Sequence, residues 1–240
     1  MKIDDTLLDE LLTDDGHMGS IIYESKYMKL PRKDGTVAVL KKLNAKNIVH
    51  IGCCGHLKNI KKQIESNTSL HMTLIQNFEK VIGFDINHEA VQFFSKYADN
   101  IYAKDVLTES SEVSSIINNT FGEESYVILI PEVLEHTLNP VAFLEYINKS
   151  YGGPQNKFVI TVPNVYGFGR ICDALFHNKE CINMDHKYMF TPTTILKVMC
   201  AAGITPKELQ FMDLYKYSKI FKKTVCANTL LVVGEGIRNC

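Results

Sequence analysis

The sequence predicts an α/β protein: a doubly wound sheet of seven strands, mostly parallel, with an antiparallel C-terminal hairpin and an N-terminal helical cap. Two observations carry this. Five short apolar runs alternate with helical patterns, which implies βα units and right-handed crossovers. The last two apolar runs, "ELQFMDLY" and "TVCANTLLVVG", have no helical pattern between them and read as a hairpin closing one edge.

The elements follow in order. Residues 1–45 hold one or two helices and form the cap. The first strand is predicted at Ile48–Ile51, and the next at Val81–Ile86. The long interval between them, "KNIKKQIESNTSLHMTLIQNF", suits two helices, the second capped by Ser69. "HEAVQFFSKYA" follows with Asn87 as its cap, then a strand at Ile101–Ala103. Val127–Ile130 and Phe158–Val162 are the fourth and fifth strands, each apolar throughout as expected of strands covered on both faces. Between them "PVAFLEYINKS" opens with Asn139 as cap and Pro140 at the first helical position. "PTTILKVMCAAG" repeats the device, with Thr191 capping, Pro192 starting and Gly203 ending the helix. The stretch 164–190 is long for a βα connection and is read as a substrate-side insertion in a domain spanning 46–240.

Composition narrows the function. The chain has 240 residues, 45% of them apolar and 22% charged, enough for an ordinary core. A net charge of −1 gives no global field for nucleic acid or an anionic membrane, and neither partner is expected. No apolar run reaches the length of a membrane span, and the acidic, amphipathic start is not a secretory signal. Seven irregularly spaced cysteines in such a chain point to reduced thiols and a cytoplasmic location. Assembly as a homodimer is an option the sequence leaves open.

In open α/β sheets ligands bind beyond the carboxyl ends of the strands. Those ends hold "HIGCCG" after the first strand, Asp85 after the second, Asp105 after the third, Pro131-Glu132 after the fourth and Pro163-Asn164 after the fifth. A glycine turn lets a ligand approach the backbone. An acid ending the second strand can accept both hydroxyls of a ribose, and one ending the third can take an adenine amine. Each acid alone can equally be a helix cap; the ordered set is more specific.

Four segments, "IVHIGCCG", "VIGFDINHEAV", "YVILIPEVLEHTLNPVAFL" and "FVITVPN", resemble in order the motifs of class I S-adenosylmethionine-dependent methyltransferases. "MDHKYMFTPTTILKVMCAAG" is similar to the segment after the fifth strand in the small-molecule and glycan-tailoring branch. The resemblance implies a Rossmann-like sheet and S-adenosyl-L-methionine as cofactor. It places Gly52, Cys53, Cys54, Gly55, Asp85, Ile86, Asp105, Val106, Pro131 and Glu132 around that cofactor, with Glu132 near its methionine part. The turn departs from the family pattern. His50 replaces an acid, Cys54 replaces a glycine, and the last glycine is shifted to Gly55. His50 is expected to hold the turn through a backbone hydrogen bond.

His50, Cys53, Cys54 and His56 also carry metal-ligating groups. Adjacent cysteines without a second ligand pair do not fit a structural zinc site, so no metal is assigned; a redox site would need C-x-x-C. Methyl transfer from a sulfonium is an in-line displacement that needs positioning, water exclusion and, for a protonated nucleophile, a base. A helix starting near Pro131 would put Glu132 and Glu135 on one face with His136 one turn on. His136 is the first candidate base, with His186 entering from the insertion over the same edge. Tyr166, Arg170 and Tyr188 of the insertion, and Tyr23 of the cap, are candidate contacts to a small-molecule acceptor: rings can face a cationic methyl, and a guanidinium can bind phosphate or carboxylate. His17 and Tyr27 are further cap candidates.

Three functions compete. The favoured one moves a methyl group to oxygen or nitrogen of a small molecule, a sugar or phosphorylated metabolite first among them. The second is a non-catalytic binding or scaffold protein with a degenerate fold of this kind, for which the altered turn speaks. A nicotinamide dehydrogenase is third, and the turn lacks its G-x-G-x-x-G.

Overall fold

The computed structural model describes residues 1–13, 19–23, 28, 30–214 and 224–236. His17 and Tyr27 lie outside the described residues. Seven strands form one sheet: β1 (Asn47–Ile51), β2 (Lys80–Asp85), β3 (Ile101–Ala103), β4 (Val127–Pro131), β5 (Lys157–Pro163), β6 (Ile204–Met212) and β7 (Thr229–Gly236). Their order is β3-β2-β1-β4-β5-β7-β6, with β1 to β5 parallel and β7 antiparallel between β5 and β6. The chain reverses its direction of travel between β1 and β4, which makes that crevice the switch point where ligands bind in such sheets.

The predicted caps form. Ser69 accepts from the Met72 amide at the start of α4 (Leu70–Asn77), which follows α3 (Leu57–Glu65). Asn87 caps α5 (His88–Phe94), and Asn139 with Pro140 opens α7 (Pro140–Tyr151). Thr191 and Thr194 build a reciprocal capping box on α9 (Pro192–Ala201). The remaining helices are α1 (Asp5–Leu12), α2 (Arg32–Lys42), α6 (Ser110–Phe121) and α8 (Phe168–His177).

Strand alternation sorts the core. Val49, Ile51, Ile128 and Ile130 share one cluster with α6, α7 and α9, while Ile48, Val127 and Leu129 share the other with α2 and α4. Of the segment expected as a cap, α2 lies on this second face, with Val39 and Leu40 fully buried, and its first turn, with Arg32, Lys33 and Thr36, reaches the carboxyl edge. Within 164–190 the structure forms α8, and an isolated bridge pairs Asn164 with Phe190 at the neck of the insertion.

The same alternation decides His50. It shares the face of Ile48 and so points at α4, where its Nδ1 lies 3.1 Å from Nδ1 of His71. The expected bond from His50 to the turn backbone is therefore replaced by a buried histidine pair, packed edge-on against Phe94. Burial, then the neighbouring ring, pushes His50 well below the usual histidine value; burial lowers His71 to about 4. The folded protein refuses protons that the unfolded chain accepts from about pH 6.5 downward. Stability contributed by the neutral pair is thus complete above pH 6.5 and lost as pH falls toward 4. His71→Leu is expected to flatten the dependence of Tm on pH between 4 and 6.5; an unchanged slope would clear the pair of this role.

Candidate active site

A cavity of about 520 Å³ opens at the carboxyl ends of β2, β3 and β4. Its wall takes Gly52 from the turn after β1, Asp85 and Ile86 after β2, and Asp105 and Val106 after β3. His136 and Leu138 close it from the β4 side. Ile86 and Leu138 are 71% and 82% exposed and form apolar lips on a mostly apolar cavity. The lining also includes Lys104, Phe143 and Tyr146, which the sequence did not single out because nothing in their local pattern distinguishes them from helix or loop surface.

The turn is built as its glycines require. Gly52 and Gly55 have φ of +76° and +63°, the left-handed region. A Cβ at Gly52 would lie 2.5 Å from Cγ2 of Val133. Cys53 and Cys54 are not among the residues at positive φ, so cysteine is tolerated where the related pattern has glycine. Asp85 then holds the turn: its Oδ2 accepts from the amides of Cys54 (2.7 Å) and Gly55 (3.0 Å), and its Oδ1 from the amide of Asn87 (2.9 Å). Asp85 therefore acts as a cap and also lines the cavity, where Oδ1 keeps one acceptor site beyond the Asn87 amide. Asp105 is similar: Oδ1 accepts from the Leu107 amide while the residue faces the same cavity.

The four ligating side chains of the turn are not brought together. His50 goes to His71, and His56 Nε2 sits 3.1 Å from Asp185. Cys53 and Cys54 are buried with sulfurs 3.6 Å apart, and burial pushes the Cys53 thiol well up.

The segment after β4 departs from the predicted helix. Glu132 takes a left-handed φ of +54°, and a 3-10 turn spans Leu134–His136. The strand runs on through Pro131, so no α-helix can start there. Glu132 and Glu135 consequently diverge. Glu132 faces a second cavity of about 280 Å³, which shares Gly52 with the first and is also lined by Cys53, Cys54, Gly55 and Pro131. There it accepts from Thr161 Oγ1 (3.1 Å) and pairs with Arg32 Nη1 at 2.5 Å. Arg32 had no sequence signal beyond its place at a helix start.

Glu135 is wholly buried under the insertion. Neither carboxylate oxygen has a hydrogen-bond partner, and Oε1 lies 4.0 Å from His186 Nε2. Burial first, then the charge of Glu132, raises it to about 8. His136 and His186 meet edge to face with ring centres 4.6 Å apart, and His136 Nδ1 is 3.2 Å from Asp185. Both predicted histidines are therefore in one cluster, although only His136 lines the large cavity.

The other predicted contacts stand apart from that cavity. Arg170 donates to the Asn164 carbonyl and lines a separate pocket of about 420 Å³ within the insertion. Tyr188 donates from its hydroxyl to the Leu138 carbonyl at 2.8 Å, and the Tyr166 amide donates to Asn164 Oδ1. Tyr23 meets Thr193 Oγ1 at 2.7 Å, at the start of α9. These are bracing contacts, formed because an irregular segment must satisfy its own polar groups.

No family model and no curated protein matches the chain. Solved structures do. A SAM-dependent methyltransferase from Archaeoglobus fulgidus superposes with a TM-score of 0.55 at 12% identity, over 84% of this chain and 93% of that one. The small RNA methyltransferase HEN1 gives 0.59 at 15%, over 92% of this chain and 28% of that one. The methyltransferase domain of bacterial CtHen1-CN gives 0.53 at 16%, over 85% and 97%.

The chain has the class I S-adenosylmethionine-dependent methyltransferase fold.

In this methyltransferase fold the glycine turn, the β2 acid and the β3 acid converge on one cavity, and the β4 segment carries the histidine that completes its wall. Among the described residues no helix is long and apolar enough to cross a membrane. Asp85→Ala would strand three backbone N–H groups, and is expected to lower the unfolding free energy by at least ~2 kcal/mol. Urea denaturation checks this, and an unmoved midpoint would show that the turn is held by other contacts.

Proposed function

We propose that the protein transfers the methyl group of S-adenosyl-L-methionine to oxygen or nitrogen of a small acceptor, with sugars and phosphorylated metabolites the first classes to test. One observation carries the reading: Asp85 and Asp105 end successive parallel strands and line a single cavity with apolar lips. An adenine ring suits the gap between Ile86 and Leu138, with Asp105 for its amine and Asp85 Oδ1 for the ribose. The methionine part would lie along Gly52 toward Glu132 and the second cavity, which shares that residue.

The sulfonium makes the methyl group electrophilic. The protein's work is then to fix the line of attack and exclude water. Removal of the acceptor's proton falls to the Glu135–His136–His186 cluster, of which His136 is on the cavity wall. Tyr23, Tyr166, Arg170 and Tyr188 stand outside the cofactor cavity, on the cap and the insertion, which leaves them for the acceptor side. A neutral chain favours a small acceptor over nucleic acid.

The scaffold reading keeps one argument, the cysteines in the turn, and their ordinary backbone angles weaken it. Calorimetry with S-adenosylmethionine, S-adenosylhomocysteine and NAD separates the readings: the first two should bind and NAD should not. Binding by none of them would favour the scaffold. Ile86→Asp is expected to weaken binding of S-adenosylhomocysteine at least tenfold, with an unchanged circular dichroism spectrum because the residue is exposed. His136→Ala should reduce kcat by ~10²-fold or more while cofactor affinity changes far less. Full turnover would remove the cluster from the chemistry. An acceptor screen should include a short RNA, whose methylation in place of small molecules would overturn the proposed substrate class.

A further inference from the structure

The sequence spacing drew attention to metal chemistry only in the Cys–His turn, whose histidines turn away from its paired cysteines. The insertion creates a different constellation. A Glu135 oxygen and one ring nitrogen each of His136 and His186 lie within 4.8 Å of one another. The three come from two segments fifty residues apart in sequence, joined when the amide of Lys187 donates to the Glu135 carbonyl at 2.7 Å. Buried carboxylates normally recruit donors, because an unpaired one forfeits the hydration it left behind. Glu135 is fully buried and has no partner for either oxygen, and Nδ1 of His186 is buried and unpartnered as well. A polar cluster left this incomplete asks for a ligand that supplies positive charge and accepts lone pairs.

We propose that Glu135, His136 and His186 form a binding site for a divalent first-row transition-metal ion. Two imidazoles and one carboxylate suit manganese, iron, cobalt or zinc better than calcium or magnesium, which prefer oxygen alone. Glu132 is not part of the set, since Arg32 and Thr161 occupy its oxygens. Asp185 supplies the outer support typical of such sites: its carboxylate lies 3.2 Å from Nδ1 of His136 and 3.1 Å from Nε2 of His56, so it orients one ligand and ties it to the glycine turn. Ligand atoms about 2.0–2.2 Å from a cation sit closer together than the 4.0 Å between His186 and Glu135 would give in a tetrahedron, so the insertion must close by under ~1 Å. A cation held there stands at the wall of the cofactor cavity, because His136 belongs to both, and its open positions face oxygen groups of an acceptor. That last assignment rests on the methyltransferase reading, in which the cation acidifies the acceptor group and His136 serves as its ligand instead of as the base; the site itself does not rest on that reading.

The test therefore uses metal binding without cofactor. The metal-stripped full-length protein is titrated with Co²⁺ and followed by its visible absorption, and separately with Mn²⁺ by electron paramagnetic resonance. One equivalent of Co²⁺ should bind with a visible band, and Glu135→Gln and His186→Gln should each weaken it at least tenfold. His177→Gln, which alters an exposed histidine on α8, should leave it unchanged. Circular dichroism confirms that the variants are folded, and Gln at 135 keeps the shape of the native residue. Equal affinity in all four proteins, or no binding at millimolar metal, would overturn the site. Failure of the unaltered protein to bind metal, with its S-adenosylhomocysteine affinity intact, would sink this inference and leave the proposed function standing.

Discussion

The carboxylate of Asp85 is the constraint on which the site depends. It sits at the end of a central strand, 6% exposed, and takes three amide protons from two separate loops. Hydrogen bonds to an ionised acceptor are shorter and stronger than neutral ones, and these fix a turn containing two left-handed glycines. They add to the bonds from the Gly52 and Cys53 amides to the Phe84 carbonyl and from Asn87 Nδ2 to the Gly55 carbonyl. The same bonds set where α5 begins, because Asn87 both donates its amide to Asp85 and caps the helix. One side chain thus couples the shape of the ligand cradle to the packing of the sheet edge behind it.

A second set of bonds couples the insertion to the β4 loop. The Lys187 amide reaches the Glu135 carbonyl, the Lys187 ammonium reaches the His136 carbonyl, and the Tyr188 hydroxyl reaches the Leu138 carbonyl. Three successive anchors on a short 3-10 turn leave it little freedom. Asp185 extends the clamp to His56 across the crevice. Burial works to raise the Asp185 carboxyl, but the hydrogen bond with His56 and the proximity of His136 outweigh it and hold it low. The insertion thereby braces the β4 loop, whose His136 and Leu138 wall the cavity.

Local signals made the fold legible. Apolar runs marked the strands, and side-chain caps at Ser69, Asn87, Asn139 and Thr191 marked helix starts, because both depend on neighbours in sequence. The acids at Asp85 and Asp105 were legible for the same reason: a strand end fixes where they emerge. His50 was misjudged because its direction depends on strand parity and on α4 lying opposite, which no local pattern records. Glu132 was placed on a helix because "EVLEH" has helical spacing, whereas the strand continues and a left-handed residue follows it. Arg170 and Tyr188 were read from chemistry alone, and the backbone of the insertion claimed them first. The pairing of Glu135 with His186 was beyond reach, since it arises only when the insertion folds back.

Gly83 explains how the unusual turn is accommodated. It lies on β2 beside His50, and a Cβ built there would meet Cys53 Sγ and His71 Cε1, each at 2.7 Å. The bulk that cysteine adds to the first loop is housed in a notch carved from the adjoining strand. The notch houses the Cys53 thiol and the His71 ring together, so any side chain at 83 would displace the turn after β1 and the buried histidine pair at once.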